Sequence, residues 1–111
     1  MPSLATWNIN SVRLRLPIVL DFLSQYSPDV LCLQEIKCMN DQFPRTALAD
    51  AGYPHQAVHG QKGYHGVAIV SKHPLDEITA RGFCDIPDCR HVSARLDFGK
   101  GPLTVHNFYV P

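Results

Sequence analysis

Two apolar segments of the sequence end in polar side chains that could hold a metal ion. Asn8 and Asn10 follow the first apolar run of the chain, and Glu35 follows the second. A carboxylate with amide oxygens beside it suits a hard divalent cation such as Mg²⁺. Such a cation binds phosphate oxygens and stabilises the negative charge that develops when a phosphoester is cleaved. The pattern therefore indicates metal-assisted chemistry on a phosphate.

A structural interpretation of the same side chains stays open on these residues alone. Asn8 can cap a helix or satisfy backbone groups, and Glu35 can form an ion pair with Lys37 at the surface. The functional interpretation gains support because two strand ends carry the same chemistry, and ligands gather at the carboxyl ends of parallel strands.

The last apolar segment carries a further pair of polar side chains. Asn107 and Tyr109 lie two residues apart and therefore on the same face of a strand. A tyrosine hydroxyl in this position could donate a hydrogen bond to a phosphate or act as an acid. The alternative is a tyrosine that is anchored in the core with its hydroxyl paired.

A glycine-bearing loop and one arginine are candidates for contacts with a nucleic-acid backbone. The loop from Gln61 to Gly66 contains two glycines together with Lys62 and Tyr64. Glycine lets a phosphodiester backbone approach closely, and Lys62 supplies a positive charge. Arg90 precedes a predicted strand and could point into the same site. A plain hairpin turn is the alternative interpretation of the loop.

Strands and helices of an α+β unit must position these side chains. The apolar spacing predicts two strands, Leu4–Ile9 and Val30–Leu33, joined by a helix from about residues 13–16 to residue 25. Strands joined in this way run parallel as neighbours, so Asn8 and Glu35 reach a common sheet edge. A second short helix is predicted from residues 43–44 to near Gly52. Five further strands are predicted at Tyr53–His59, Gly66–Ser71, Ile78–Gly82, His91–Asp97 and Leu103–Val110.

Length and composition limit the class of protein. The chain has 111 residues, of which 45% are hydrophobic and 18% charged, and ten Lys and Arg balance ten Asp and Glu. This composition fits one globular domain and excludes disordered, collagen-like and disulfide-dense classes. The zero net charge argues against nucleic-acid binding by electrostatics alone. Because the sequence shows neither an apolar run of about 18 residues nor a signal peptide, no membrane span and no export are expected.

The four cysteines do not form a zinc motif. Cys32 and Cys38 are separated by five residues and Cys84 and Cys89 by four, whereas structural zinc sites typically use a shorter spacing. We expect reduced thiols that are buried as small apolar side chains.

Four blocks of the sequence together resemble one enzyme family. They are Thr6–Arg13 (TWNINSVR), Leu31–Lys37 (LCLQEIK), Gly60–Ile69 (GQKGYHGVAI) and Asn107–Pro111 (NFYVP). In this order and spacing they resemble exodeoxyribonuclease III, in the AP-endonuclease branch of the endonuclease/exonuclease/phosphatase superfamily. A single block is a weak signal, but four blocks in order are specific.

The resemblance implies both a fold and an activity. The fold is α+β, part of a four-layer α/β sandwich of the DNase I-like kind, with two packed mixed β-sheets flanked by helices. Residues 1–111 are then the N-terminal portion of a single domain whose C-terminal half is absent. The implied enzyme is a Mg²⁺- or Mn²⁺-dependent DNA-repair nuclease that cleaves 5′ to abasic sites and degrades duplex DNA from 3′ to 5′. We expect its partner to be double-stranded DNA with abasic sites or 3′-blocked ends. We also expect a monomer in the bacterial cytoplasm, with no membrane partner.

The resemblance also implies roles for individual residues. Glu35 matches the metal-binding glutamate of the family, Asn8 the asparagine that supports it, and Asn10 a position beside the metal. Tyr109 matches the catalytic tyrosine that contacts the scissile phosphate. We assign contacts with phosphate or DNA to a basic and aromatic set: Arg90, Tyr64, Lys62 and Lys37.

The sequence departs from the family pattern after the last of the four blocks. The family carries an Asp-x-Asn motif, a further Asp and a terminal Asp-His pair, and none of these has a counterpart here. Since the base for the attacking water is expected among these Asp residues, we expect the chain by itself to be inactive. Two alternatives stay open: a truncated fragment with residual metal or DNA binding, and a superfamily phosphatase that acts on a lipid or inositol head group.

Overall fold

Two β-sheets and two α-helices make up the part of the chain that the computed structural model describes, which is residues 3–60, 66–80, 91–97 and 101–108. Among these residues, the elements in chain order are β1 Leu4–Asn8, α1 Leu16–Tyr26, β2 Val30–Gln34, α2 Arg45–Asp50, β3 His55–His59, β4 Val67–Ser71, β5 Asp76–Ala80, β6 His91–Asp97 and β7 Pro102–Phe108. Neither helix is long and apolar enough to cross a membrane.

The first sheet contains the strands that carry the predicted metal site. Its order is β1-β2-β4-β3. β1 and β2 run parallel with Leu4 opposite Val30 and Asn8 opposite Gln34, while β4 is antiparallel to both β2 and β3. The prediction that a helical connection makes β1 and β2 parallel neighbours is therefore confirmed.

The second sheet has the order β5-β6-β7, and its described strands are antiparallel. β6 and β7 pair along their whole length, from His91 opposite Phe108 to Asp97 opposite Pro102. This pairing brings the C-terminal end of β7 to the start of β6, on the side where the first sheet ends in Gln34.

Alternation along the strands divides the core into two layers. One face of the first sheet packs against the helices through a cluster that includes Leu31, Leu33, Val70 and, from α1, Val19. The other face packs against the second sheet through a cluster that includes Cys32, Ile69, Val92, Ala94 and Val105. Because β2 and β4 are covered on both faces, their side chains are almost all buried. This layering confirms the predicted α+β sandwich.

The second helix is shorter than predicted. Phe43 has an extended backbone, because a residue that precedes proline avoids the helical region. Pro44, with a ψ of 67°, is also outside the helix, which begins at Arg45. Phe43 instead places its ring in the core, where it is 4% exposed. The helix ends one residue before Ala51, ahead of Gly52, whose φ is 102°. The predicted glycine stop is therefore close to the observed end.

A polar clamp ties the starts of β1 and β2 together, at the end of the sheet away from Asn8. The Asp29 carboxylate accepts hydrogen bonds from the Ser3 backbone N–H at 2.8 Å and from the Ser3 hydroxyl at 3.3 Å. Its other oxygen lies 2.9 Å from Nε2 of His73. These partners, His73 first and then Ser3, lower the pKa of the Asp29 carboxyl below its usual value.

Replacing this carboxylate gives a first test. The Asp29→Asn variant should unfold with a free energy about 1–2 kcal/mol below that of the wild-type chain at pH 7, because it loses charge-assisted hydrogen bonds. Since the folded pKa of Asp29 is depressed, its stabilisation is complete above the unfolded pKa and is lost as the pH falls through the folded value. Urea denaturation between pH 7 and pH 2.5 should show the two curves converging at acid pH.

The matched control is Asp50→Asn, an exposed carboxylate at the end of α2. It should follow the wild-type curve at every pH. A stability difference for Asp29→Asn that is equally large at pH 7 and at pH 2.5 would contradict the clamp.

Candidate active site

Backbone hydrogen bonds bring the two polar strand ends together. Asn8 lies opposite Gln34 at the last pair of β1 and β2. The ladder continues beyond the strands, since the Ile9 N–H donates to the Gln34 carbonyl at 3.0 Å and the Ser11 N–H donates to the Glu35 carbonyl at 2.8 Å. The segments after β1 and β2 therefore run side by side. Asn8 and Glu35 occupy the same edge of the sheet, as the sequence predicted.

Both segments contain residues with a left-handed backbone. Positive φ angles occur at Asn10 (48°), Ser11 (84°), Glu35 (53°) and Lys37 (54°). A side-chain-bearing residue in this region costs of order 1–3 kcal/mol and persists only where its surroundings impose it, as they commonly do at functional sites. Asn adopts a positive φ more readily than most residues do, but Glu and Lys have no such preference, so their residue types do not predict it. This feature of the site is not predictable from the residue types alone.

Two arginine side chains donate hydrogen bonds to backbone carbonyl groups of these segments. Arg15 Nε donates to the Asn10 carbonyl at 3.2 Å, and Arg13 Nη2 donates to the Lys37 carbonyl at 3.4 Å. The Arg13 guanidinium thus lies beside the corner that is formed by residues 9–11 and 35–37, and its positive charge would attract a phosphate there. Neither Arg13 nor Arg15 was among the site residues predicted from the sequence.

The amide side chain of Asn107 lies between the two sheets below this corner. It is 2% exposed. Its Nδ2 donates to the carbonyls of Leu33 at 2.9 Å and Ala68 at 2.8 Å. Its Oδ1 accepts a 2.7 Å hydrogen bond from Nε2 of Gln34, which also donates to the Thr6 hydroxyl at 2.9 Å. Every hydrogen-bonding atom of the Asn107 amide is used, so β7 is joined directly to β2 and β4.

Among the described residues, a groove lies between β1 and β7. Its volume is about 370 Å³. Polar and apolar side chains line it: Leu4, Thr6, Cys32, Gln34, Val105, His106 and Asn107. The Gln34 side chain, directly before Glu35, is therefore reached from solvent along the space between the sheets.

The residues at the edge fit a hard divalent cation. Glu35 is partly exposed, and Asn8 and Asn10 are exposed, so a carboxylate and amide oxygens are accessible together. Across the described ranges, no group of three or more His, Cys, Asp and Glu side chains is placed to hold a metal ion. One carboxylate with amide oxygens beside it is a donor set that Mg²⁺ accepts, since this ion is often bound by one or two carboxylates and retains several waters.

Four predicted site residues lie outside the described residues: Lys62, Tyr64, Arg90 and Tyr109. Their assignments stay predictions. Of the predicted DNA-contacting set, Lys37 is described. It lies two residues after Glu35 and, like Glu35, has a positive φ.

The two described cysteines are buried free thiols, as predicted. Cys32 and Cys38 form no disulfide, and burial raises the pKa of the Cys32 thiol to about 11 and that of Cys38 above its usual value. Neither thiol is therefore a ready thiolate ligand near neutral pH. Cys84 and Cys89 lie outside the described residues.

Comparisons with known proteins identify the family and the fold of the chain. Residues 5–109 match the endonuclease/exonuclease/phosphatase family. The chain is 39% identical to exodeoxyribonuclease III of Haemophilus influenzae over 109 residues, which are 96% of this chain and 40% of that enzyme.

Two similar solved structures share the fold. A 3′ phosphatase from Neisseria, bound to a product DNA hairpin, is 37% identical with a TM-score of 0.88, over 98% of this chain and 41% of that one. An AP endonuclease from Archaeoglobus fulgidus is 38% identical with a TM-score of 0.88, over 100% of this chain and 42% of that one. The chain thus spans about two-fifths of the length of these relatives.

The left-handed backbone at Glu35 can be tested by stability. Glycine adopts this conformation without the steric cost that a Cβ atom brings. We therefore expect Glu35→Gly to have a free energy of unfolding about 1 kcal/mol higher than Glu35→Ala. Urea denaturation of the two variants measures this difference, and both lack the carboxylate, so any interaction of the carboxylate cancels.

The control pair is Gln34→Gly and Gln34→Ala, one residue earlier in β2. There glycine should be the less stable of the two, because it weakens a strand. Equal stability of Glu35→Gly and Glu35→Ala would be inconsistent with an imposed left-handed corner.

Proposed function

The chain belongs to the endonuclease/exonuclease/phosphatase family, and on this basis we propose that it is the N-terminal part of a divalent-metal-dependent DNA-repair nuclease. The proposed reactions are phosphodiester cleavage at abasic sites and 3′-to-5′ removal of nucleotides from duplex DNA. One observation carries the proposal: the adjacent ends of β1 and β2 bring Asn8 and Glu35 to one edge of the sheet, and Glu35 has a left-handed backbone there.

The proposed metal site uses this chain's own oxygens. Glu35 would bind Mg²⁺ or Mn²⁺, and Asn8 and Asn10 would complete or orient its surroundings. When bound, such an ion polarises a phosphate and stabilises a leaving oxygen. Exposure of these side chains leaves room for water and for a phosphate oxygen beside the carboxylate.

We assign substrate contacts to the positive and aromatic residues around that corner. Arg13 and Lys37 attract the phosphate backbone through charge. Tyr109 and Arg90 orient the scissile phosphate, and Lys62 and Tyr64 contact the DNA backbone. We expect the base that activates water, an Asp paired with a His in the family, to come from the portion of the relatives that this chain does not span.

DNA is favoured over a lipid or inositol head group as the substrate. The relative with 39% identity is an exodeoxyribonuclease, and one similar structure contains a product DNA hairpin. Duplexes with abasic sites or 3′-blocked ends are the proposed partners. An abasic nucleotide leaves the helix at low cost because it has no base to unstack.

A second candidate activity is release of a phosphate from a DNA 3′ end. It is favoured by the 37% identity to a Neisseria 3′ phosphatase with a TM-score of 0.88. Both activities hydrolyse a phosphoester at a 3′ oxygen, so the same metal-binding carboxylate serves either. They differ in whether the substrate position accepts an internal abasic nucleotide or a terminal phosphate.

A chimera tests the proposed nuclease. Residues 1–111 are joined to the remaining part of Haemophilus influenzae exodeoxyribonuclease III, and a labelled abasic-site duplex is the substrate. We expect Mg²⁺-dependent nicking that EDTA stops. Glu35→Gln should lower the rate by roughly 100-fold or more, since removing metal-based charge stabilisation costs several kcal/mol.

The matched control is Glu77→Gln, which changes the one other glutamate of the sequence. Glu77 pairs with Arg95 at the surface in β5, at 3.3 Å, so its loss should leave nicking unchanged. A chimera that folds by circular dichroism but nicks equally well with Glu35→Gln would refute the metal site.

The isolated 111-residue chain is expected to leave the same duplex intact. It supplies the Glu35 edge of the site but not the expected catalytic base. Nicking by the chain that is sensitive to EDTA and absent in Glu35→Gln would show that the isolated chain is active after all.

A second chimera distinguishes the 3′ phosphatase activity from the nuclease activity, because its C-terminal part comes from a different enzyme. It joins residues 1–111 to the C-terminal part of the Neisseria 3′ phosphatase. If residues 1–111 select the substrate, both chimeras share one ratio of abasic-site cleavage to 3′-phosphate release. A ratio that follows the donor assigns the selection to the C-terminal part.

A further inference from the structure

Asn107 is a buried side chain whose hydrogen bonds all lead toward the corner at Glu35. It is held in β7 of the second sheet, opposite Val92 of β6. Its amide crosses to the first sheet, where its partners are the two backbone carbonyls of β2 and β4 and the side chain of Gln34. An amide with all its hydrogen-bonding atoms paired inside a low-dielectric core fixes a single arrangement of the groups around it.

The two carbonyl bonds end at a specific place in the first sheet. Leu33 and Ala68 are register partners in the β2–β4 ladder, and the next pair toward the edge is Gln34 with Val67. Asn107 therefore spans both strands one residue pair before they end. A shift of β7 relative to β2 would break both bonds together.

Glu35 is consequently fixed from both of its neighbours. Gln34 is held by Asn107 and by the Thr6 hydroxyl. On the other side, the Ile36 N–H donates to the Gly66 carbonyl at 3.1 Å. The left-handed φ of 53° at Glu35 is the conformation that joins these two anchored residues.

We propose that Asn107 is a positioning residue for the metal-binding carboxylate of Glu35. The inference rests on the function proposed above. Asn107 acts through Gln34 and the β2 backbone, which set the direction in which the Glu35 side chain leaves the sheet. Groups that hydrogen-bond a metal ligand directly typically contribute roughly 10- to 100-fold to metal affinity. Since Asn107 acts through Gln34 and the backbone, we expect an effect near the lower end of that range.

The test compares two variants of the 111-residue chain on the same strand face. Asn107→Leu keeps the branching and the number of side-chain heavy atoms but removes both donors and the acceptor. Val105→Ala, two residues earlier, removes buried apolar volume from the same layer, where Val105 is 7% exposed. The control therefore loosens β7 packing while leaving the Asn107 amide in place.

Two measurements are made on each variant. Mn²⁺ affinity is obtained by electron paramagnetic resonance titration, with Glu35→Gln defining binding elsewhere on the chain. Native-state amide hydrogen exchange is followed at Ser11, whose N–H binds the Glu35 carbonyl, and at Ile36. Each exchange rate is compared at matched global stability, which urea denaturation supplies.

We expect Asn107→Leu to weaken Glu35-dependent Mn²⁺ binding by about tenfold or more and to speed exchange at Ser11 and Ile36 by about tenfold relative to Val105→Ala. Equal exchange rates in the two variants at matched stability would overturn the positioning role. Faster exchange with unchanged Mn²⁺ affinity would overturn it as well, because the corner would then move without affecting the ligand.

Gln34→Met serves as a second variant if Asn107→Leu does not fold. It removes the Gln34 amide and leaves the two carbonyl bonds of Asn107. The same two changes are expected in smaller degree, and their absence counts against the proposal. If the wild-type chain and Glu35→Gln bind Mn²⁺ equally, the proposed metal function fails, whereas the exchange comparison still decides whether Asn107 holds the corner.

Discussion

The amide of Asn107 is the interaction on which the geometry of the candidate site depends. Its three hydrogen bonds cross the space between the sheets and end on β2 and β4. Each neutral hydrogen bond contributes only about 1 kcal/mol to stability, but a buried amide that lost its partners would cost more than the bonds contribute. The arrangement therefore tolerates little displacement. The same side chain therefore links the relative position of the two sheets, which apolar packing sets, to the position of the Glu35 corner.

At the edge of the first sheet, well-packed strands are followed by segments with a strained backbone. β2 and β4 are covered by the helices on one face and by the second sheet on the other, so their backbone is held by packing as well as by the ladder. Beyond the last strand pair, four side-chain-bearing residues have a left-handed backbone. Arg13 and Arg15 hold the carbonyls of these segments. Packing energy elsewhere in the sandwich offsets the strain at the place where polar side chains meet solvent.

Polar clamps at opposite ends of the same strand pair have different roles. At the start of β1 and β2, Asp29 is bound by Ser3 and His73, and these partners depress its pKa, which makes this clamp a source of stability that depends on pH. At the other end, the corner at Glu35 is supported by backbone hydrogen bonds and by neutral amides. These supports hold the backbone of the corner.

The sequence by itself determined the order of strands and helices and the parallel pairing of β1 with β2, because apolar periodicity and a helical connection allow few alternatives. This pairing also determined that Asn8 and Glu35 lie at the same edge of the sheet. The predicted second helix began too early, because Pro44 keeps the preceding residue, Phe43, out of the helical conformation. Asn107 appeared in the sequence only as a polar neighbour of Tyr109. That its amide reaches Leu33 and Ala68, more than thirty residues away along the chain, was decided by the packing of one sheet on the other. The left-handed corner at Glu35 was decided in the same way, since contacts between distant strands, and not the preference of a glutamate, impose that backbone.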